Sequence, residues 1–181
     1  MMALRTVMPD APDLILSGVN RGANLADDIT YSGTVSAAIE GALAGIRSVA
    51  FSQVYAREGM GDDVPFAAAR EWGPKVLEKL IDAPMADRTL INVNFPARPP
   101  EDVKGIRVVR QGFHDYARGT IVEGRDPRGY RYFWFGLDQI EHTLDHGTDL
   151  EAIEDGYVAV TPLQLDLTHY STIGILAERF A

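Results

Sequence analysis

Cysteine, long apolar runs and positive charge are absent or scarce in this sequence. It contains no cysteine, which excludes disulfide bonds, thiolate metal sites and cysteine nucleophiles. No apolar run approaches the roughly 20 residues that a membrane-spanning helix needs. Lysine and arginine together number 17 against 26 aspartates and glutamates, which gives a net charge of −9. Because an acidic surface repels nucleic acid and anionic lipid, we expect neither as a partner.

Short apolar runs alternate with amphipathic stretches over the first half of the chain. The predicted strands are 14–16, 48–51 and 89–95, and the predicted helices are 35–46 and 63–81. The strands are apolar runs bounded by turn residues, and the helices repeat apolar residues at the spacing of one buried face. Gly73-Pro74 predicts a kink or break in the second helix. This alternating order predicts an α/β fold with a parallel sheet covered on both faces.

The second half of the chain is richer in strands and aromatic residues. We predict a strand at 105–110, a hairpin at 119–136, a further strand at 155–169 and a terminal helix at 171–180. One arm of the hairpin reads YRYFWF and is apolar on both faces. An uncovered arm of this kind promotes unwanted association. It therefore packs either against the body of the domain or on another subunit, and the residues leave both alternatives open.

A polar loop follows the first predicted strand. Ligands of open parallel sheets bind beyond the carboxyl ends of the strands, and Asn20 lies just past such an end. Its oxygen can ligate a cation and its amide can bind a phosphate. Alternatively, Asn20 is a turn residue that bonds its own backbone, which is the commoner role of an isolated Asn.

The tripeptide Ser32-Gly33-Thr34 directly precedes the first predicted helix. A helix N-terminus presents unpaired N–H groups and a positive dipole, and small residues let an anion approach them. The alternative is an ordinary N-terminal cap by Ser32. The Asn- and Gly-rich loop before it favours phosphate binding. The motifs G-x-G-x-x-G, G-K-[ST] and G-x-S-x-G are absent, which argues against dehydrogenase, kinase-like and serine hydrolase functions.

Other polar groups offer candidates for a metal site or for support of the loop. Asp27 and Asp28 suit a metal pair, but adjacent carboxylates are also common in solvated turns. The segment EHTLDHGTD has the spacing of a metal ligand set, or it is a polar surface loop. Its candidate ligands are His142, Asp145, His146 and Asp149. Asn92 and Asn94 end a predicted strand, and in a parallel sheet they would support the Asn20 loop by hydrogen bonds.

The stretch SGVNRGANLADDITYSGTVSAAIEG, residues 17–41, resembles the signature of the SurE family of survival proteins. Further family motifs follow in the family's order: INVNFP, GIRVVRQG, DPRGYRYFWFG and GTDLEAIEDGYVAVTPLQLDLTHY. Several separate motifs in one order make the resemblance specific over nearly the whole chain. Members of this family are metal-dependent acid phosphatases known as 5′-nucleotidases.

The resemblance implies a Rossmann-like, three-layer α/β fold with a long β-hairpin and a C-terminal swapping arm. It implies a divalent metal cofactor, Mn²⁺ or Mg²⁺. It implies hydrolysis of nucleoside 5′-monophosphates, or of 3′-monophosphates, to nucleoside and phosphate by a cytoplasmic homodimer or homotetramer. By matching motifs, Asn20 is a metal ligand, and the phosphate-binding residues are Asn24, Ser32, Gly33 and Thr34.

The sequence departs from the family pattern at its start. The family opens with a strand ending in Asn-Asp-Asp-Gly, whose aspartates bind the metal, and this motif is absent here. We therefore expect one N-terminally incomplete SurE-like domain over 1–181. Its parts are a remaining α/β core at 1–104, a strand and hairpin arm at 105–140, and a core strand with the C-terminal arm at 141–181. Since one Asn cannot hold a divalent cation, we expect little activity from the chain as written. The alternative is a non-catalytic, oligomeric nucleotide- or phosphate-binding protein.

Overall fold

The computed structural model describes residues 1–54, 66–114, 121–135 and 147–181. Its strands are β1 (Leu14–Arg21), β2 (Arg47–Gln53), β3 (Thr89–Phe95), β4 (Ile106–Val108), β5 (Ile121–Arg125), β6 (Arg131–Phe135) and β7 (Val158–Gln164). Its α-helices are α1 (Gly33–Leu43), α2 (Ala67–Leu80), α3 (Asp149–Glu154) and α4 (Tyr170–Phe180). Shorter helical turns span Ala3–Val7, Ala26–Tyr31 and Pro100–Asp102. Within the described residues the predicted strands and helices are present, although β4 and β7 are shorter than predicted. Residues 63–65 of the predicted helix and residues 119, 120 and 136 of the predicted hairpin lie outside the described residues.

Five of the described strands form one sheet in the order β1-β2-β3-β7-β4. Strands β1, β2 and β3 run parallel to one another. The sheet is mainly parallel, as predicted, and the exception is the pairing of β7 with β3, which is antiparallel. The chain reaches β7 from α3, and Ala159 near the start of β7 pairs with Asn94 near the end of β3. A strand that starts at this edge has to run back across the sheet.

Helix α1 covers one face of the sheet. It begins after Ser32, whose hydroxyl oxygen accepts a hydrogen bond from the backbone N–H of Val35 at 3.1 Å. This is the usual side-chain cap of a helix N-terminus. The apolar stripe of α1 packs on β2 and β3, and the buried cluster consists of Val35, Ala38, Ala42, Ala50 and Leu90. The spacing of apolar residues in the sequence therefore predicted the buried face correctly.

Helix α2 covers the opposite face and packs on the larger part of the core. In this cluster the rings of Phe51 and Phe95 meet edge to face, with 5.1 Å between their centroids. The helix continues through Gly73-Pro74, so of the predicted kink or break the structure excludes the break. Burial against the core outweighs the one backbone hydrogen bond that Pro74 cannot make. With helices on both faces, the layers are those of a Rossmann-like fold.

The hairpin of β5 and β6 is antiparallel, as predicted. Its turn is closed by the carboxylate of Asp126, which accepts hydrogen bonds from the N–H groups of Arg128 and Tyr130. Both strands expose large apolar side chains: Ile121, Val122, Tyr132, Phe133 and Trp134. Among the described residues of the single chain, these side chains do not pack against the body of the domain.

Helix α4 is held at its start by hydrogen bonds to Asp166, while the rest of the helix is not buried. Hydrogen bonds from Thr168 and Tyr170 lower the pKa of the Asp166 carboxyl to about 2. None of the residues of α4 is buried. Its exposed apolar side chains include Ile173, Ile175, Leu176 and Phe180. None of the helices in the described part of the chain is long and apolar enough to span a membrane.

Candidate phosphate-binding site

Three parallel strands bring candidate residues to one edge of the sheet. Asn20 of β1 pairs in register with Ser52 of β2, and Ser52 pairs with Asn94 of β3. All three lie near the carboxyl ends of their strands, which is the edge where open α/β sheets bind ligands. We call residues 22–31, which follow β1 at this edge, the Asn loop.

Gly18 allows β1 to lie close to β2 just before the Asn loop. Its φ is +129°, and a Cβ at this position would overlap the backbone carbonyl oxygen of Phe51. The pairing of β1 with β2 also shifts in register between Ser17 and Asn20. A side chain at position 18 would therefore force apart the two strands that carry Asn20 and Ser52.

Asn24 anchors the Asn loop to the sheet and is only 7% exposed. Its backbone N–H donates to Asn94 Oδ1 at 2.9 Å. Its carbonyl oxygen accepts from Asn92 Nδ2 at 2.8 Å and from Asn94 Nδ2 at 2.9 Å. Its own Nδ2 donates to Ser52 Oγ at 2.6 Å. The prediction that Asn92 and Asn94 support this loop by hydrogen bonds is confirmed.

The start of α1 faces open space. Gly33 is exposed, and a Cβ built on it meets no atom within 4 Å. The N–H groups in the first turn of a helix have no acceptor within the helix and carry the positive end of its dipole. Ser32 caps the helix through the N–H of Val35, and the space beside Gly33 is open. The cap and the anion site, weighed as alternatives in the sequence, are therefore compatible.

The described residues do not by themselves fit a divalent cation. Asn20 donates a hydrogen bond from Nδ2 to the carbonyl oxygen of Gly22 at 3.1 Å, so it acts as a turn residue here. Asn92 Oδ1 is buried and has no hydrogen-bond partner among the described residues. Within the same ranges, no three His, Cys, Asp or Glu side chains are grouped so that they could hold a metal ion. Mg²⁺ and Mn²⁺ need several oxygen ligands, usually with carboxylate charge, and isolated amide oxygens do not supply them.

The histidine-containing segment is only partly described. Three of its candidate ligands lie outside the described residues: His142, Asp145 and His146. Asp149 is described and is fully buried. Its carboxylate accepts hydrogen bonds from the backbone N–H groups of Ala26, Gly112 and Leu150. In the described part of the chain, Asp149 is thus an acceptor for backbone groups and belongs to no metal cluster.

A segment that follows β4 holds the Asn loop from another side, and we call its residues, 110–114, the strap. Gln111 Nε2 donates to the carbonyl oxygen of Ala26 at 3.1 Å. The backbone N–H of His114 donates to the Asp27 carboxylate at 2.8 Å. Sequence reasoning missed the strap because its motif, GIRVVRQG, predicts only a strand. Only the sheet order, with β4 beside β7, brings it to the loop.

His114 is the ionisable group in this contact, and its Nε2 lies 3.5 Å from the Asp28 carboxylate. A hydrogen bond with Asp28 raises the pKa of His114 above its ordinary 6.5. Burial opposes this rise, and the charges of Asp28, Asp27 and Asp149 reinforce it. A group whose pKa is raised on folding stabilises the fold fully at pH values below its pKa in the unfolded chain. This stabilisation is lost as the pH rises through its pKa in the folded chain. The strap therefore holds the loop most tightly in mildly acidic solution.

Comparison with known proteins identifies the family. The profile described as "Survival protein SurE" matches residues 1–118. The chain belongs to the SurE family. It is 67% identical over 181 residues to a protein of Erythrobacter litoralis named 5′-nucleotidase SurE, covering 99% of this chain and 71% of that protein. A protein of the same name from Rhizorhabdus wittichii is 62% identical over 174 residues, covering 96% of this chain and 68% of that protein.

A solved SurE structure shares the fold. The crystal structure of the SurE protein from Aquifex aeolicus matches with a TM-score of 0.78 at 36% identity, covering 99% of this chain and 71% of that one. The family resemblance and the Rossmann-like α/β fold predicted from the sequence are confirmed. The SurE signature at 17–41 folds into the end of β1, the Asn loop and the first turns of α1.

Proposed function

We propose that this SurE-family chain binds nucleoside 5′-monophosphates and is a 5′-nucleotidase, which releases phosphate and the nucleoside. Nucleoside 3′-monophosphates are a second substrate class in the same proposal. The observation that carries it is the open start of α1 at Gly33, set beside the anchored Asn loop. High identity to proteins named 5′-nucleotidase SurE supports the reaction.

In this proposal the phosphate group lies at the start of α1. The N–H groups of Gly33 and Thr34 donate to its oxygens, and the hydroxyl group of Thr34 adds a donor. Ser32 Oγ accepts from Val35, and its own proton is available to the phosphate. Asn24 is buried, and its N–H, C=O and Nδ2 all bond within the protein. Its part is therefore to hold the loop in place.

The family resemblance supplies Mn²⁺ or Mg²⁺ as the cofactor and Asn20 as one ligand. The described residues do not offer the further oxygen ligands that such an ion needs. We therefore expect this chain to release phosphate slowly. The same mismatch favours a second candidate function, a non-catalytic protein that binds nucleotide or phosphate, because the Asn loop is anchored in place while the described residues supply no cation site.

The proposal extends to assembly and location. We infer that 1–181 form one domain and that copies of it associate as a homodimer or homotetramer in the cytoplasm. The exposed aromatic residues of β6 and the unpacked body of α4 support association. Contact between copies would cover apolar surface that a single chain leaves in water.

Replacing Gly33 with Ala tests the phosphate site. The added methyl group meets no protein atom, and Ala favours a helix over Gly, so the fold stays intact. The methyl group occupies the approach of the anion. We expect the affinity for inorganic phosphate and for AMP, measured by isothermal titration calorimetry, to fall about tenfold, or about 1.4 kcal/mol. Gly174→Ala in α4, which has equally open surroundings, is the matched control, and equal affinities of the two variants would contradict the site.

Phosphate release from AMP in the presence of Mn²⁺ separates the two candidate functions. Slow release that decreases further in Gly33→Ala, but not in Gly174→Ala, supports the nucleotidase. Binding of AMP without any release supports the non-catalytic binding protein. Absence of both binding and release would contradict both functions for this chain.

A further inference from the structure

We infer that Asp149 is a positioning residue of the phosphate site, and this inference rests on the proposed function. Asp149 is fully buried at the start of α3. Its Oδ2 accepts a hydrogen bond from the N–H of Ala26 at 2.9 Å. Its Oδ1 accepts from the N–H groups of Gly112 at 2.8 Å and Leu150 at 2.9 Å. The two oxygens thus hold different segments of the chain.

Ala26 is the residue at which the Asn loop turns toward α1. Its φ is +50°, a conformation that residues with a side chain adopt rarely, and it is fully buried. The helical turn Ala26–Tyr31 leads directly to Ser32 and Gly33. Because the turn is short, a shift of Ala26 shifts the start of α1. The bond from Ala26 to Asp149 therefore sets the direction in which the phosphate site faces.

The Asn loop has two anchors with different consequences. Asn24 is bound to β2 and β3 by neutral amide and hydroxyl groups. Ala26 is bound to α3 by a carboxylate, and hydrogen bonds to an ionised acceptor are stronger than neutral ones. The first anchor fixes where the loop leaves the sheet. The second fixes its course toward the helix, so loss of Asp149 changes the site while leaving the sheet intact.

The strap joins the same arrangement. Gly112 lies so close to α3 that a Cβ on it would be 2.9 Å from Leu150 Cδ1 and 3.0 Å from Asp149 Oδ1. Gln111 bonds the carbonyl oxygen of Ala26, while Asp149 bonds its N–H. Both backbone groups of Ala26 are therefore held by the structure around Asp149.

Asp149→Asn tests the inference, because it keeps the size of the side chain and replaces one acceptor oxygen with an NH₂ donor. Either Ala26 or Gly112 and Leu150 then lose their acceptor. We expect amide hydrogen exchange in residues 22–32 to accelerate about tenfold, while exchange in β2 and β3 stays the same. We expect the affinity for inorganic phosphate, measured by calorimetry, to fall about tenfold.

Two further variants complete the test. Asp126→Asn is the matched control, since Asp126 also bonds two backbone N–H groups but lies in the hairpin turn. It is expected to change neither measurement. Gln111→Ala removes only the bond to the carbonyl oxygen of Ala26. It is expected to accelerate exchange in the same residues about threefold, which keeps the inference testable if Asp149→Asn does not fold.

The outcomes distinguish positioning from general stability. A merely structural role would accelerate exchange evenly over α3, β7 and the Asn loop and leave the phosphate affinity of the folded protein unchanged; either result overturns the inference. Unchanged exchange in residues 22–32 also overturns it. If the unsubstituted chain binds no phosphate, the proposed function fails, while the exchange data still decide whether Asp149 positions the loop.

Discussion

The Asn loop and the hairpin of β5 and β6 reverse the usual placement of polar and apolar side chains. Asn24 in the loop is 7% exposed, whereas Phe133 and Trp134 in the hairpin are 59% and 66% exposed. Polar groups are buried without penalty when each finds a partner, and Asn24 finds its partners in the sheet. Large apolar groups that are exposed in a single chain often form the contact surface for another molecule. The loop thus completes its contacts within one chain, and the hairpin fits the proposed contact between copies.

Removing the amide of Asn94 is expected to have the largest effect on this comparison. Asn94→Ala leaves the N–H of Asn24 without its acceptor and deprives the carbonyl oxygen of Asn24 of one of its donors. Buried groups left unpaired cost about 1–3 kcal/mol each, so we expect the free energy of unfolding to fall by about 3 kcal/mol. Urea denaturation measures this change.

Thr161→Val is the control for that experiment. Thr161 Oγ1 is buried in the neighbouring strand and has no hydrogen-bond partner among the described residues. Replacing this hydroxyl group with a methyl group of similar size is expected to leave stability unchanged or slightly higher. An equal loss in both variants would mean that the paired amide at Asn94 contributes no more than an unpaired hydroxyl group.

Trp134→Ser tests the other side of the comparison. The Trp134 ring packs edge to face on Tyr132, with 6.1 Å between centroids, and most of its surface is exposed in the single chain. We expect the free energy of unfolding of the single chain to change little. Self-association, measured by sedimentation velocity, is expected to weaken about tenfold in Kd. Leu43→Ser at the end of α1, an equally apolar site that is 51% exposed, controls for lost apolar surface, and equal weakening in both variants would exclude a specific contact at the hairpin.

His114→Gln is expected to have the smallest effect, and it acts through pH. The raised pKa of His114 means that its bond to Asp28 stabilises the fold below pH 6.5 and is lost as the pH rises through the folded value. Because Asp28 is half exposed, solvent screens the pair, and we expect a change under about 1 kcal/mol. The variant lacks this pH dependence in urea denaturation. An NMR titration that placed the pKa of His114 below 6.5 would contradict the contact.

The elements that pack the core were predictable because burial repeats along the sequence. The apolar spacing of α1 and the apolar run of β3 each satisfy a periodic contact with a neighbouring layer. The support of the loop by Asn92 and Asn94 was also predictable, because parallel strands end at one edge. These are consequences of local pattern and of a rule of topology.

The direction of β7 and the role of Asp149 were not predictable in the same way. The residues of β7 read equally well in either direction, and only the position of α3 beside the end of β3 decides between them. Asp149 is 123 positions from its partner Ala26, and a carboxylate that serves backbone N–H groups looks like any acidic residue of a polar loop. Because Asp149 bonds the main-chain N–H of Ala26, the type of residue at position 26 gives no indication of the contact.

The place of β7 between β3 and β4 also fixes the order in which the molecule can be completed during synthesis. β4 is translated about 50 residues before β7, which is several seconds at roughly 5–20 residues per second on a ribosome. During that interval β3 and β4 both lack β7, the strand that lies between them. For most of it Asp149 has not been synthesised and cannot bind Ala26. The proposed phosphate site of the nascent chain is therefore completed late, after residues far along the sequence have been synthesised.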